Sequence, residues 1–465
     1  TSIEAFHAVG RSRSTVWTAS TRTRNTAKVI VGNSMGLASL PSQSMPATGR
    51  FGFRVVGGGA HPVRPGLSRG DRYDPRPMGD DRITGDRPGG DLGSLIDGSD
   101  IRRVHVLAWR DLDDDEAGGS ELHLNEVTRR WAAAGLEVCV RTSEVSGEPT
   151  SVVRDGVEVV RRSGRYKVFL QGALAEILGR HGRRDALVEV WNGVPFLTPL
   201  WARGPRMAIQ HHDHADMWPL VLSPRLARLG SLLECRLAPP CYRSTPVITL
   251  STSSRAGLID GLGHRPDGVH VVEPGVHPRF SPAGRRDAEP LVVSVGRLTA
   301  SKRVDVVIRA FAEARDRVAD LRLEVIGDGP EQSSLLTLVA DLGVADSVAF
   351  RGRISDDDLV EAYRRARLVV SASISEGWGM TLTEGAACGT PAVATDIAGH
   401  RDAVDDGRSG LLAADDSALS GLMVEAVGSR WDQLSAGALT FATRFDWDRT
   451  ATEAFRILAG TVPSR

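Results

Sequence analysis

Short runs rich in Val, Ile and Leu alternate with amphipathic stretches from residue 104 onward, and this alternation restricts the fold more than any other feature. Each run has the length of a buried strand, and each amphipathic stretch has the spacing of a helix. Strands that alternate with helices predict parallel sheets with helices on both faces. The sequence therefore predicts an α/β protein.

The alternation occurs in two halves. The strands predicted in the first half are VHVLAW, EVCVRTS, VEVVRR, LVEVWNG, MAIQHH, VITLS and VHVVEPGV, and a helix is predicted to open with Ser120 as its N-cap. The second half restarts with LVVSVGRL, LRLEVIGDG, VAFRGR, LVVSAS and PAVATD. We expect two Rossmann-like domains, at 101–276 and 291–445, joined by a Pro/Gly/Arg linker at 277–290. Ligands bind beyond the carboxyl ends of such strands, so the chemistry is expected in a cleft between the domains.

The two ends of the chain differ in composition and in predicted structure. Residues 1–100 are rich in Gly, Ser, Thr, Arg, Pro and Asp without sustained periodicity, which predicts a disordered extension. Their first fifty residues are basic and acid-poor, so a targeting role is one interpretation and a dispensable extension is the favoured one. At the other end, 446–465 is predicted to be a helix that crosses back to the first domain.

Charge and cysteine content exclude several classes of protein. The net charge of -1 gives no global reason to expect a nucleic-acid partner. The four cysteines form no CxxC or Cys/His cluster, which fits a reduced, cytoplasmic location. No uninterrupted apolar run reaches the roughly 18 residues of a membrane span.

The strongest local signal is SEGWGMTLTEGAACGTPAVAT, in which seven residues separate Glu376 from Glu384 and a helix is predicted to start near Gly379. Unpaired amides at a helix start can donate to sugar hydroxyls or phosphate oxygens, and Gly377 opens the approach to the backbone. The alternative is two solvated charges at a helix start. The surrounding pattern favours a binding site.

A second signal is SVGRLTASKR, where Gly296, Arg297 and Lys302 follow a buried-looking strand. Two fixed positive charges near a strand end suit a diphosphate leaving group, because they offset the charge that grows as its bond breaks. The alternative is two solvated cations. Lys302 is one of only three lysines in the chain, which makes coincidence less plausible.

These segments resemble the donor-binding domain of the retaining GT-B enzymes called glycosyltransferase family 4. The resemblance covers roughly 101–460, strongly in the second half and weakly in the first. The shared marks are GRLxxxK at 296–302, GDGP at 327–330, FRGRIS at 350–355, Glu-x7-Glu at 376–384 and GTPAVAT at 389–395.

The resemblance implies roles for individual residues. Arg297 and Lys302 would clamp the donor diphosphate, Glu384 would accept hydrogen bonds from the ribose, and Glu376 would hold sugar hydroxyls. Arg303 departs from the usual Gly after the lysine, which affects the shape of that loop. The remaining donor-binding positions implied in the second half are Gly296, Gly329, Arg353, Ile354, Gly377, Trp378, Gly379, Met380, Thr381 and Leu382.

The first half contributes weaker candidates. Gly118 and Gly119 precede a predicted helix, where the resemblance implies a Gly-rich loop against the donor phosphates. His212 is the histidine that would contact the transferred sugar, while His211 and His214 would shape the acceptor site. A metal site in IQHHDH is disfavoured because strand neighbours point to opposite faces and no partner cluster is visible.

The resemblance also implies the reaction, a hexosyl transfer with retention from a UDP- or GDP-sugar to a lipid, saccharide or small-metabolite acceptor. We expect same-face attack by the acceptor, with the departing phosphate as base. No metal or other cofactor is expected, since Arg297 and Lys302 would stabilise the leaving group. A nucleotide-sugar-binding protein without activity and another GT-B enzyme such as a phosphorylase are the alternatives.

A basic, leucine-rich stretch follows the histidines. Arginines 225, 228, 236 and 243 lie among several leucines in a helix-like pattern. The favoured interpretation is a surface helix with a buried apolar face. The other is a basic amphipathic patch that touches an anionic membrane carrying a lipid acceptor.

Overall fold

The computed structural model describes residues 92–212, 218 and 223–462. Nearly all of the predicted N-terminal extension lies outside these residues. Asp213 and His214 of the histidine cluster also lie outside them.

The first domain is built on an eight-stranded sheet in the order β3-β4-β2-β1-β5-β6-β7-β8. All neighbours are parallel except β3 and β4, which form an antiparallel edge hairpin. All seven predicted strands are confirmed, and β3 was not predicted. The strands are β1 (Arg103–Leu107), β2 (Glu137–Thr142), β3 (Ser151–Arg154), β4 (Val157–Arg161), β5 (Ala186–Val190), β6 (Arg206–Ile209), β7 (Val247–Thr249) and β8 (Val269–Val271).

Helices cover both faces of this sheet because side chains alternate along its strands. Val104, Val106 and Val188 point to one face, and Leu107 and Leu187 point to the other. The helices described in this part of the chain are α1 (Leu92–Asp97), α2 (Gly119–Ala133), α3 (Val168–Ile177), α4 (Thr198–Trp201), α5 (Pro224–Leu232) and α6 (Thr252–Ala256).

Two details of these helices differ from expectation. The N-cap of α2 is Gly118 and not Ser120, because the Glu121 carboxylate accepts from the Gly118 N–H at 2.8 Å and closes the helix start. The apolar face of α5 is not buried. Leu226 and Leu229 are 53% and 59% exposed, and Ala227 is its one buried residue.

The second domain has a parallel sheet in the order β11-β10-β9-β12-β13-β14. The five predicted strands are confirmed, and β14 was not predicted. The strands are β9 (Leu291–Val295), β10 (Arg322–Ile326), β11 (Val348–Gly352), β12 (Leu368–Ser371), β13 (Ala392–Thr395) and β14 (Gly410–Ala413).

Helices alternate with these strands, as the period of the apolar residues requires. Met423 and Phe311 lie in the largest buried cluster of this domain. The helices are α7 (Val304–Arg315), α8 (Gln332–Asp341), α9 (Asp356–Arg365), α10 (Met380–Ala387), α11 (Ala398–Ala403), α12 (Ala418–Val427), α13 (Trp431–Ala442) and α14 (Trp447–Ala459).

Helix α14 packs against the first domain although it follows the second in sequence. Its residue Phe455 is fully buried in the first-domain core, and the indole N–H of Trp131 in α2 donates to the carbonyl of Ala451 at 2.9 Å. In the described part of the chain, no helix combines the length and the apolar character that a membrane span requires.

Candidate active site

Loops at the carboxyl ends of the two sheets meet and border a cleft. Gly119 begins α2 and lies against Met380, which begins α10: a Cβ at Gly119 would stand 3.1 Å from the Met380 Sδ. Arg353, just after β11, donates to the carbonyl oxygen of Asp115 at 2.9 Å. The N-terminal ends of α2 and α10 therefore meet in the cleft.

Lys302 and Glu376 form an ion pair on the second-domain side. Lys302 ends a short turn after β9, and Glu376 lies in the loop between β12 and α10. The Lys302 ammonium donates a hydrogen bond to the Glu376 carboxylate, and the Ser373 hydroxyl donates to the same oxygen at 2.8 Å. Because an ammonium has three donors, two remain available to a ligand.

The charge of Glu376 is set by this pairing. Burial by itself would raise the pKa of Glu376, but the Lys302 ammonium, the His400 ring and the two hydrogen bonds outweigh it. The resulting pKa lies below the ordinary value, so the carboxylate is ionised at neutral pH. His400 is itself buried, with Nδ1 2.9 Å from the Thr395 carbonyl oxygen, and burial lowers its pKa.

The predicted helix start near Gly379 is confirmed, since Gly379 is the N-cap of α10. The side chains of Trp378 and Leu382 are buried in the second-domain core, so only their backbone can reach a ligand. The amides of Met380 and Thr381 lie in the first helical turn, where no intrahelical carbonyl is available to them.

The Arg297 side chain is exposed and forms no hydrogen bond or ion pair with any described residue, and its charge acts on Arg110 and Glu116 of the first domain. Gly296 precedes Arg297, and a Cβ at Gly296 would lie 3.8 Å from the Lys302 Cε. Gly329 has a φ of 158° and lies directly against the backbone of Leu298, where a Cβ would clash. Glycine at 329 therefore allows the loops after β9 and β10 to touch.

The region predicted for ribose and base contains Glu384. Its carboxylate accepts from the Tyr363 hydroxyl at 3.1 Å. Burial raises the pKa of Glu384 to about 8. The resemblance implies that Arg353 and Ile354 lie beside the base and contact it mainly through backbone. The Ile354 side chain packs against the buried cluster that contains Tyr363.

The first domain brings histidines to the opposite wall. His212 is half-buried, and its Cδ2 would lie 3.1 Å from a Cβ at Gly377. His211 is buried, and its ring centroid is 5.2 Å from that of His123 in α2. Among the described residues, no group of three or more His, Cys, Asp or Glu side chains is arranged to hold a metal ion.

A set of interdomain contacts was missed by the sequence analysis. Asp402 in α11 accepts from the amides of Thr252 and Ser253 at 3.1 Å each, at the N-terminus of α6. The Ser254 hydroxyl donates to the Gly377 carbonyl at 3.2 Å. The STSS segment after β7 was a signal for a helix start, but its partner lies about 150 residues away.

Two family models match the chain. The model described as Glycosyl transferases group 1 matches residues 279–422, and Glycosyltransferase Family 4 matches residues 117–280. The chain is 38% identical over 389 residues to the D-inositol 3-phosphate glycosyltransferase of Acidothermus cellulolyticus, covering 72% of this chain and 84% of that relative. The chain belongs to the group 1 glycosyltransferases. The enzyme of the same name from Frankia alni is 37% identical, and the alignment covers 76% of this chain and 97% of the Frankia chain.

Solved structures share the fold of this group 1 glycosyltransferase. Sucrose-phosphate synthase from Thermosynechococcus elongatus superposes with a TM-score of 0.64 at 18% identity, covering 76% of this chain and 98% of that one. Anabaena Alr3699/HepE, solved in complex with UDP-glucose, gives 0.62 at 18% identity, covering 77% and 99%. The fold is therefore GT-B, with two Rossmann-like domains facing a cleft.

Proposed function

We propose that this group 1 glycosyltransferase transfers a hexosyl group from a UDP- or GDP-sugar to an acceptor hydroxyl, with retention of configuration and without a metal ion. The observation that carries the proposal is the Lys302–Glu376 pair, which precedes the start of α10, with the exposed Arg297 after β9 as a further cation. The complex of Anabaena HepE with UDP-glucose supports a nucleotide-sugar donor.

The positive groups act on the leaving diphosphate. As the bond between the anomeric carbon and the phosphate oxygen breaks, negative charge grows on the diphosphate. Arg297, the two remaining Lys302 donors and the amides of Met380 and Thr381 offset that charge. They take the part that a divalent cation plays in metal-dependent transferases.

Glu376 is assigned to the sugar and not to nucleophilic attack. Its carboxylate is held by Lys302 and Ser373, so it is oriented to accept from sugar hydroxyls. We propose that the acceptor hydroxyl attacks from the face that the phosphate leaves, and that a phosphate oxygen takes its proton. His212, across the cleft beside Gly377, is assigned to the transferred sugar.

We propose that the acceptor binds on the first-domain side of the transferred sugar. The relatives named D-inositol 3-phosphate glycosyltransferase make that compound the first small acceptor to test. We place the reaction in the cytoplasm. All four cysteines are described by the structure and none forms a disulfide, which supports a reducing compartment.

The test measures binding and turnover separately. A thermal-shift screen with UDP, GDP and their sugars, with and without EDTA, is expected to show stabilisation by one nucleotide family that EDTA leaves unchanged. Nucleotide release that requires the acceptor would distinguish transfer from binding alone. Stabilisation that disappears with EDTA would contradict metal independence, and no shift with any nucleotide would overturn the donor assignment.

A further inference from the structure

The helices that cover one face of the first-domain sheet expose apolar and basic side chains. Helices α3 and α4 and the chain around α5 cover the face to which Leu107, Leu187 and Ala208 point. The carboxylate of Glu189 is buried below this layer. It accepts from the hydroxyl of Tyr242, which follows α5, and from the amide of Thr198, which begins α4. We call the exposed side of residues 166–203 and 223–243 the α3–α5 surface.

Large apolar side chains are exposed on this surface. Among the described residues, ten of the fourteen exposed large hydrophobic side chains lie between Tyr166 and Leu237, so the exposure is local and not spread over the molecule. Scattered single leucines are common on protein surfaces, but a concentration of this kind marks an interaction site. The ten are Tyr166, Leu170, Leu174, Ile177, Leu178, Leu200, Leu226, Leu229, Leu232 and Leu237.

The exposed charges that the structure describes on the α3–α5 surface are positive. The acidic side chains described in this span are directed inward or bonded to the backbone: Glu176 pairs with Arg184, Asp185 accepts from two amides, Glu189 is fully buried and Glu234 accepts from Trp218. The side chains of eight exposed basic residues form no hydrogen bond or ion pair with a described residue. They are Lys167, Arg180, Arg183, Arg203, Arg225, Arg228, Arg236 and Arg243.

We propose that the α3–α5 surface binds an anionic lipid bilayer. Exposed leucines interspersed with arginines, with no exposed and unpaired carboxylate among the described residues of the surface, match the interface of such a bilayer, where aliphatic side chains enter the acyl region and cations meet headgroup phosphates. The net charge of the whole chain is only -1, so this complementarity belongs to the surface and not to the protein at large. A nucleic acid would use the cations but leave the leucines exposed to water.

The test is co-sedimentation of the full chain with phosphatidylglycerol/phosphatidylcholine vesicles and with pure phosphatidylcholine vesicles. The triple variant Arg225→Ala/Arg228→Ala/Arg236→Ala is compared with a control triple in the linker and the second domain. The control changes exposed arginines that also form no ion pair with described residues, Arg285→Ala/Arg309→Ala/Arg317→Ala. A second comparison sets Leu226→Ser/Leu229→Ser against Leu336→Ser/Leu342→Ser in the second domain.

We expect wild type to bind the anionic vesicles and not the neutral ones. The arginine triple should weaken binding about a hundredfold, since each basic side chain near an anionic surface contributes a factor of about five. The leucine pair should also weaken it, and both controls should bind like wild type. No binding of wild type, or equal losses in the controls, would overturn the inference. Nucleotide stabilisation measured without vesicles reports on the donor site alone, so the two proposals can fail independently.

Discussion

Donor binding should release a proton from Glu384. Burial holds the pKa of this carboxyl at about 8, so it is largely protonated at neutral pH in the unliganded protein. The role assigned to it is to accept hydrogen bonds from ribose hydroxyls, which the ionised form does best. The carboxyl must therefore lose its proton when the nucleotide binds.

The pKa sets the size of the effect. With a pKa of about 8, the ionised fraction is roughly a tenth at pH 7 and roughly three quarters at pH 8.5. Affinity scales with the fraction in the competent state, so the donor should bind about eightfold more tightly at pH 8.5. The stability of the unliganded protein should instead fall as pH rises. Its folded state keeps this proton up to pH 8, while the unfolded chain releases it near 4.5, so this group lowers stability as pH rises between those values.

Isothermal titration calorimetry with the intact nucleotide sugar can measure this dependence, because its diphosphate diester does not titrate in the range. Titrations at pH 7 and 8.5, in two buffers of different ionisation enthalpy, give affinity and proton release together. Glu384→Gln should abolish both the slope and the release, whereas Glu313→Gln, at an exposed position in α7, should keep them. Equal affinity of wild type at the two pH values, or an unchanged slope in Glu384→Gln, would refute the reasoning.

Three further predictions concern the cleft. Arg297→Ala and Lys302→Ala should each lower kcat about a hundredfold or more in single-turnover assays, as expected for a lost leaving-group stabiliser, and an unchanged kcat would exclude that role. Gly377→Ala would put a Cβ 2.7 Å from the His211 carbonyl oxygen and should lower kcat/KM at least about tenfold. Gly261→Ala, whose Cβ would meet nothing within 4 Å, is its control, and equal kinetics in the two variants would count against the clash. Asp402→Ala removes the acceptor at the start of α6 and should lower Tm by about 2–4 °C, since caps contribute about 1 kcal/mol, and an unchanged Tm in calorimetry would show that the contact contributes little.

Most of the strands could be predicted because buried parallel strands are continuous apolar runs, which a sequence shows directly. The edge hairpin was missed because SVVR is short and its exposure alternates. A usable signal was present at Asp155-Gly156, both of which have positive φ, as a two-residue hairpin turn requires. The burial of α5 was predicted wrongly, because periodicity identifies an apolar face but not what covers it.

In the candidate site, too, some residues could be predicted from the sequence and others could not. Arg297, Lys302 and Glu376 could be selected from the sequence because each lies in a short motif beside a predicted strand end. Their partners could not be selected in this way. Nothing near residue 402 indicates that its carboxylate accepts from the start of α6, since only the docking of one domain on the other creates that contact.

These interdomain contacts support the loop at 376–379, to which we assign donor binding, from both domains. Lys302 of the second domain pairs with Glu376. From the first domain, the Ser254 hydroxyl donates to the Gly377 carbonyl and the His211 backbone packs against Gly377. The start of α10 lies against Gly119 in the same way. A rotation of one domain relative to the other would therefore move the groups assigned to the sugar and those assigned to the diphosphate. We therefore expect closure of the cleft and assembly of the proposed donor site to be the same event, so substitutions at 377 or 402 should alter transfer without contacting the donor's base.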